Sequence, residues 1–120
     1  MMNRTHAKAD KLLTQKIFEH HLGAFAQGID ALMEDYVDDS IILTPSGNHT
    51  GKTEIRAFFE KFLDEATPEF WAAFKIENQY VKDDIAYLVW SADPFISMAT
   101  DTILVREDCI WIQTFTPFVR

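Results

Sequence analysis

The chain has 120 residues, of which 48% are hydrophobic, so it can bury one ordinary core but leaves no room for a second domain. Its 19 acidic and 11 basic residues give a formal net charge of -8, which on average repels phosphate backbones and anionic membranes. We therefore predict a single domain over 1–120 that has neither nucleic acid nor a membrane as its partner.

Cysteine content and the N-terminal sequence bear on the compartment. Residues 1–8 lack the apolar core of a signal peptide, and no apolar run approaches the length of a membrane span. The single cysteine, Cys109, cannot form an internal disulfide. Both features favour a cytoplasmic protein.

The N-terminal part of the chain has a helical pattern. Apolar side chains recur every three or four residues through the first twenty-eight positions, which predicts a long helix that ends at Gly28. A short helix over 29–36 should follow. The pattern then changes to a strand over 41–44, which Pro45 closes because proline cannot donate to a ladder.

A second amphipathic helix is predicted after a turn over 46–51. Gly51 is a plausible N-cap residue, and Pro68 marks the far end of the helix. The apolar positions are spaced as one face of a helix requires, and they are Ile55, Phe58, Phe59, Phe62 and Leu63.

From Phe70 onward, segments rich in aromatic and β-branched residues are divided by three polar turns. They predict an antiparallel meander of four strands over 70–81, 84–92, 95–105 and 109–118. Helices first and hairpins afterwards are typical of an α+β fold, with the helices packed on one face of the sheet.

The last hairpin has apolar side chains on both faces. A two-residue turn over 107–108 would place Asp101 opposite Thr114 and Ile103 opposite Ile112. The opposite face would then carry Leu104, Trp111 and Phe115 beside Thr102 and Gln113. Since the helices cover only one face, we predict a homodimer in which a second copy covers the outer face of the sheet.

Asp101 is the first candidate functional residue. Its carboxylate lies between Ala99 and Ile103 on an otherwise apolar strand face, where desolvation disfavours the charged form. Such a group is either paired or protonated. The alternative to a functional role is that Asp101 accepts hydrogen bonds from a neighbouring threonine or the backbone and only holds the sheet together.

His21 is the second candidate. Its neighbours three and four positions away are Ile17, Phe18, Ala24 and Phe25, so it lies in the middle of the apolar face of its helix. The alternative is a core histidine with its hydrogen bonds satisfied. If both residues face one cavity, a carboxyl group and an imidazole can exchange a proton with a bound carbonyl or epoxide.

Other site chemistries lack support. Residues 47–53 lie between a strand and a helix, as a phosphate loop would, but three residues separate the two glycines where that motif has four. The four histidines include no pair spaced four residues apart, and Cys109 has no CxxC partner. We expect no nucleotide, flavin or metal cofactor.

Several motifs resemble SnoaL-like and ketosteroid isomerase-like proteins of the nuclear transport factor 2-like superfamily. They lie at 20–25, 36–41, 44–47 and 51–59, and the closing hairpin resembles theirs from 99 to 115. The resemblance implies a cystatin-like cone, in which a strongly curved antiparallel sheet is wrapped by N-terminal helices around a pocket. It also implies a dimer through the sheet.

The resemblance implies roles for individual residues. Ketosteroid isomerases use a Tyr and a protonated Asp as oxyanion donors and a second Asp as general base. Asp101 matches the oxyanion Asp, and His21 falls where the Tyr would be. Thr44 falls at the base position and is not a base, so a standard ketosteroid isomerase is not expected.

Together these observations predict a pocket protein for a small, apolar organic ligand, acting as a cofactor-free acid/base enzyme of the isomerase, cyclase, dehydratase or epoxide hydrolase type. Asp101 would be the acid or hydrogen-bond donor and His21 its polar partner. The expected ligand-binding residues are Phe25, Tyr36, Thr44, Phe59, Phe62, Trp90 and Thr114. The alternative function is a non-catalytic ligand-binding or dimerisation module of the same fold.

Overall fold

A computed structural model describes residues 4–119 of the chain and the side chains of residues 11–119. The helices are α1 (Arg4–Ala24), α2 (Ile29–Met33), α3 (Gly51–Glu65) and α4 (Pro68–Ala73). The strands are β1 (Tyr36–Thr44), β2 (Gly47–Thr50), β3 (Lys75–Lys82), β4 (Ile85–Ala92), β5 (Ile96–Arg106) and β6 (Cys109–Phe118).

Part of the prediction about an export signal falls on residues 1–3, which lie outside the described residues. Within the described part of the chain, no helix is both long enough and apolar enough to cross a membrane.

The six strands form one curved, open sheet in the order β2-β1-β6-β5-β4-β3. All neighbouring strands are antiparallel except β1 and β6, which run parallel. Helix α1 packs across β3, β4 and β5, and α3 packs on β1 and β2, so the core lies between the helices and the inner face of the sheet. The predicted α+β fold with helices on a curved sheet is confirmed.

The two-residue turn of the last hairpin is also confirmed. Glu107 and Asp108 both adopt positive φ angles, of 51° and 65°, as the tight turn between twisted strands requires. Val105 pairs with Ile110 next to the turn, as a two-residue turn over 107–108 requires.

Beyond that pair the predicted register is wrong by one residue. A β-bulge leaves Trp111 without a partner, so Leu104 lies opposite Ile112 and Asp101 lies opposite Phe115. Every later side chain of β6 therefore changes face. Gln113 becomes buried, whereas Ile112 becomes exposed.

The first helices are shorter than predicted. Helix α1 ends at Ala24, and Gly28 instead precedes α2 with a φ of 111° that favours glycine. Helix α2 ends at Met33 because the following backbone joins the sheet, where the Asp35 carbonyl accepts a hydrogen bond from the Ile110 N–H. Tertiary pairing therefore overrides the local helical pattern.

Two further elements replace predicted ones. The turn predicted over 46–51 contains strand β2, whose residues pair with the end of β1. The start of the strand predicted over 70–81 is helix α4, which has Pro68 in its first turn. Its N-cap is Thr67, whose hydroxyl accepts a hydrogen bond from the Phe70 N–H at 3.1 Å.

Candidate functional site

A cavity of about 760 Å³ lies between the helices and the inner face of the sheet. Its walls hold eight aromatic rings, and its polar side chains are His21, Asp101 and Gln113. Gly23, Ala26 and Ile76 line the cavity while being exposed, which places its mouth between the end of α1 and the start of β3. The volume is in the range of small-molecule sites.

Asp101 is held on the cavity wall by two neutral N–H donors. The indole Nε1–H of Trp90 donates to its Oδ1 at 2.9 Å, and the amide Nε2–H of Gln113 donates to its Oδ2 at 3.0 Å. Cross-strand pairing places Leu88 and Phe115 on either side of Asp101. The carboxylate therefore has well-ordered partners in otherwise apolar surroundings.

Tyr36 fixes the orientation of the Gln113 amide. The buried hydroxyl of Tyr36 donates a short hydrogen bond to Gln113 Oε1, which leaves Nε2 directed at Asp101. Burial and the negative charges of Asp35 and Asp101 raise the pKa of Tyr36, so its phenol keeps its proton. The hydrogen bonds from Tyr36 to Gln113 and from Gln113 to Asp101 therefore both donate in the direction of the Asp101 carboxylate.

This arrangement makes Asp101 a hydrogen-bond acceptor, whereas the sequence predicted an acid or donor. Burial raises the pKa of Asp101 to about 6, and the hydrogen bonds from Trp90 and Gln113 oppose that rise. At pH 7 the group is then ionised by about ten to one. A carboxylate with a pKa near neutrality suits proton transfer in both directions.

His21 lies on the same cavity and is neutral at physiological pH. Burial, and to a smaller extent the nearby His20, lower the pKa of its imidazole to about 4. Its ring packs edge-on against Phe25, Tyr36 and Phe59. The Nδ1 atom is buried, and no described residue hydrogen-bonds to it. The described residues therefore leave one nitrogen of this imidazole without a hydrogen-bond partner.

A separate polar cluster forms around His20, the residue before His21 on α1. His20 Nδ1 is 2.9 Å from the buried carboxylate of Asp35, and its Nε2 is 3.5 Å from the exposed Glu34. Burial raises the pKa of Asp35, while the hydrogen bond to His20 opposes the rise. The described residues contain no group of three or more His, Cys, Asp or Glu side chains that could hold a metal ion.

The predicted ligand-binding residues divide into three groups. Phe25, Phe59, Phe62 and Trp90 line the cavity together with His21 and Asp101. Tyr36 is buried behind Gln113 and acts on the site through that amide.

Thr44 and Thr114 lie outside the cavity lining. Thr44 ends strand β1, where its hydroxyl donates to the Gly47 carbonyl at 2.6 Å and closes the hairpin. Thr114 faces the outer side of the sheet because of the bulge, and its Oγ1 accepts from the Thr102 N–H at 3.2 Å. The proposed bond between Thr114 and Asp101 is therefore absent.

Sequence reasoning missed several residues of the site. Gln113 and Phe115 were assigned to the opposite face of β6, because the bulge at Trp111 has no glycine or other marker in the sequence. Trp71 and Phe74 line the cavity from α4 and the residue after it. Thr67 followed by Pro68 is a helix-start signal and could have predicted that helix.

Comparisons with solved structures identify the architecture. The structure matches a nuclear transport factor 2-like protein of unknown function from Burkholderia xenovorans with a TM-score of 0.74 and 18% identity, over 92% of this chain and 87% of the other. The chain has the nuclear transport factor 2-like fold. A SnoaL-like protein of unknown function from Burkholderia thailandensis matches with a TM-score of 0.70 and 17% identity, over 89% and 95% of the two chains.

The fold does not define the activity. A de novo designed protein with a curved β-sheet also matches the nuclear transport factor 2-like fold of this chain, with a TM-score of 0.70 and 12% identity, over 97% of this chain and 88% of the design. No family model and no curated protein matches the sequence. Function must therefore be argued from the cavity.

Proposed function

We propose that this domain binds a small, largely apolar organic molecule in the cavity and carries out cofactor-free acid/base chemistry on it. The observation that carries the proposal is the chain of donors from Tyr36 through Gln113 to Asp101, which ends at the cavity wall. Held in this way, the carboxylate can accept a hydrogen bond or a proton from the ligand.

His21 supplies the second polar contact. A neutral imidazole carries one N–H and one bare nitrogen, so it can donate to a ligand carbonyl or accept from a hydroxyl. In the proposed reaction Asp101 takes one proton from the ligand, becomes a neutral carboxylic acid and returns the proton at another position. The net change is an isomerisation or a cyclisation within the ligand; in a dehydration the proton goes instead to the departing hydroxyl, which leaves as water. None of these reactions consumes a cofactor.

Ligand binding can be tested by closing the cavity mouth. Gly23 lies in α1, and a Cβ added there meets nothing within 4 Å, so Gly23→Leu should fill the mouth without distortion. The change also favours the helix by about 0.5–1 kcal/mol. Native mass spectrometry should show a small molecule bound to the wild-type protein and absent from this variant.

Ala72→Leu is the matched control, because Ala72 is exposed on α4 and is not part of the cavity lining. It should retain the ligand. Equal retention by both variants would remove the cavity as the ligand site.

Turnover of the identified ligand then separates an enzyme from a binding protein. Asp101→Asn keeps the size of the side chain and removes the proton acceptor. We expect at least a hundredfold loss of turnover, which is the usual contribution of a positioned acid or base. Unchanged turnover would eliminate Asp101 from the chemistry and favour the non-catalytic alternative.

We further propose that two copies of the chain pair through the outer face of the sheet. Tyr80, Tyr87, Thr102 and Thr114 form one continuous row across β3 to β6, and no charged side chain interrupts it. Tyr80 is 63% exposed and Ile112 is 41% exposed. A central row without charge lets two copies of a protein with net charge -8 approach.

Analytical ultracentrifugation tests the dimer. Tyr87→Glu places a charge at the centre of the outer face and should give a monomer. Leu12→Glu is the control, because Leu12 is 70% exposed on α1 and lies away from the sheet face. A wild-type monomer at micromolar concentration would contradict the proposal.

A further inference from the structure

The Asp101 carboxylate has no cationic partner in the cavity. Both of its oxygens are held by neutral N–H groups, from Trp90 and Gln113. No lysine or arginine is among the described residues that line the cavity. His21, which lines the same cavity, is neutral, because burial lowers the pKa of its imidazole to about 4. No positively charged side chain among the described lining residues therefore neutralises the Asp101 carboxylate.

The walls around this charge are aromatic. Phe115 stands directly opposite Asp101 across the β5–β6 ladder, and its ring lies parallel to Trp90 with the ring centres 6.1 Å apart. Phe74 packs against the same indole at 5.2 Å. Aromatic faces attract cations through their ring quadrupoles, and tryptophan does so most strongly. The ring faces on the cavity wall are therefore compatible with a positive charge inside the cavity.

From these features we infer that the ligand is an organic amine, with its ammonium group beside Asp101 and its apolar body against the aromatic walls. The inference rests on the proposed function, because it names the class of molecule that the same cavity binds. An anionic ligand would meet an unshielded carboxylate and no basic side chain. A neutral ligand would leave the charge of Asp101 buried with only neutral hydrogen-bond donors to offset it.

A matched pair of probes tests the inference on the wild-type protein. Phenylbutylamine and phenylbutanol share the same apolar body and differ in charge at one end. Binding is measured by calorimetry and by the fluorescence of Trp71 and Trp90, which line the cavity. We expect the amine to bind about tenfold tighter or better, as for a hydrogen bond to a charged group.

Two variants distinguish a specific ion pair between the amine and Asp101 from a general attraction of the amine to a negatively charged protein. Asp101→Asn should bring the amine-to-alcohol affinity ratio to about one while the alcohol binds as before. Asp39→Asn removes the same charge from an exposed position on β1, so the ratio should keep its wild-type value. Loss of the amine preference in both variants would overturn the inference.

A second matched pair of probes tests the inference without a variant. Phenylbutyltrimethylammonium and its uncharged carbon isostere have the same shape, and the charged compound should bind tighter by about tenfold or more if the aromatic walls recognise the cation. Equal binding by amine and alcohol, or tighter binding by the alcohol, overturns the inference and leaves the proposed function standing. Binding by none of the four compounds overturns the inference and also counts against the cavity as a ligand site.

Discussion

The charge of Asp101 should make the unfolding free energy of the protein depend on pH in a defined direction. The perturbation is Asp101→Asn, which keeps the shape of the side chain and removes its titration. Burial raises the pKa of Asp101 from an ordinary value of 3.8 to about 6. Between these values the unfolded chain has lost the proton while the folded chain still holds it, so folding becomes less favourable as the pH rises.

The size of the effect follows from that interval. Each pH unit between the two values corresponds to about 1.4 kcal/mol, so the full destabilisation above pH 6 is about 3 kcal/mol. Since the unfolded chain is already half ionised near pH 4, about 2 kcal/mol of it falls between pH 4 and pH 7. The unfolding free energy of the Asn variant, minus that of the wild type, should rise by this amount over that range.

Urea unfolding at pH 4, 5, 6 and 7, followed by tryptophan fluorescence, measures this difference. His21 provides the opposite sign, because burial lowers the pKa of its imidazole from 6.5 to about 4. Stability that is present above pH 6.5 is lost as the pH falls toward 4, by about 3 kcal/mol. The difference between His21→Leu and wild type should therefore rise as the pH falls. A flat curve for the Asn variant, or one that falls with rising pH, would refute the reasoning.

Two further predictions concern the support of the site. Tyr36→Phe leaves the buried amide oxygen of Gln113 without its donor and should lower the unfolding free energy by about 1–3 kcal/mol in the same urea titration. Thr67→Ala removes the N-cap of α4 and should cost about 1 kcal/mol. Hydrogen exchange at the Phe70 amide should rise in that variant, and unaltered protection would contradict the role of the cap.

Periodicity predicted most of the fold, because its signals are local. The apolar faces of α1 and α3, the strands β4 to β6 and the tight turn at Glu107 are set by residues near one another in the chain. The errors occurred where a distant strand decides the outcome. Tyr36 looks helical by its neighbours, yet its backbone pairs with Ile110 of β6. Such pairing cannot be read from a short window of sequence.

The sequence predicted the two titratable residues of the candidate site but missed the residue that supports Asp101. His21 and Asp101 were found because a polar residue in an apolar stripe is visible in the sequence, and both line the cavity. Gln113 was missed because one extra residue, Trp111, reverses the faces of the strand after it. That single bulge also changes the expected role of Asp101, because it brings the Gln113 donor to the carboxylate in place of the Thr114 hydroxyl.

The energetics of the cavity argue for a function beyond packing. At pH 7 the ionised Asp101 lowers stability by about 3 kcal/mol, and the Nδ1 of His21, which has no hydrogen-bond partner among the described residues, lowers it by a further 1–3 kcal/mol. Apolar side chains at both positions would give a more stable core. Two destabilising polar groups on one cavity, one of them oriented by Tyr36 and Gln113, agree with the proposed function, in which stability is traded for activity. A bound amine would relieve the first of these costs, so ligand binding should raise the stability of the wild type more than that of Asp101→Asn.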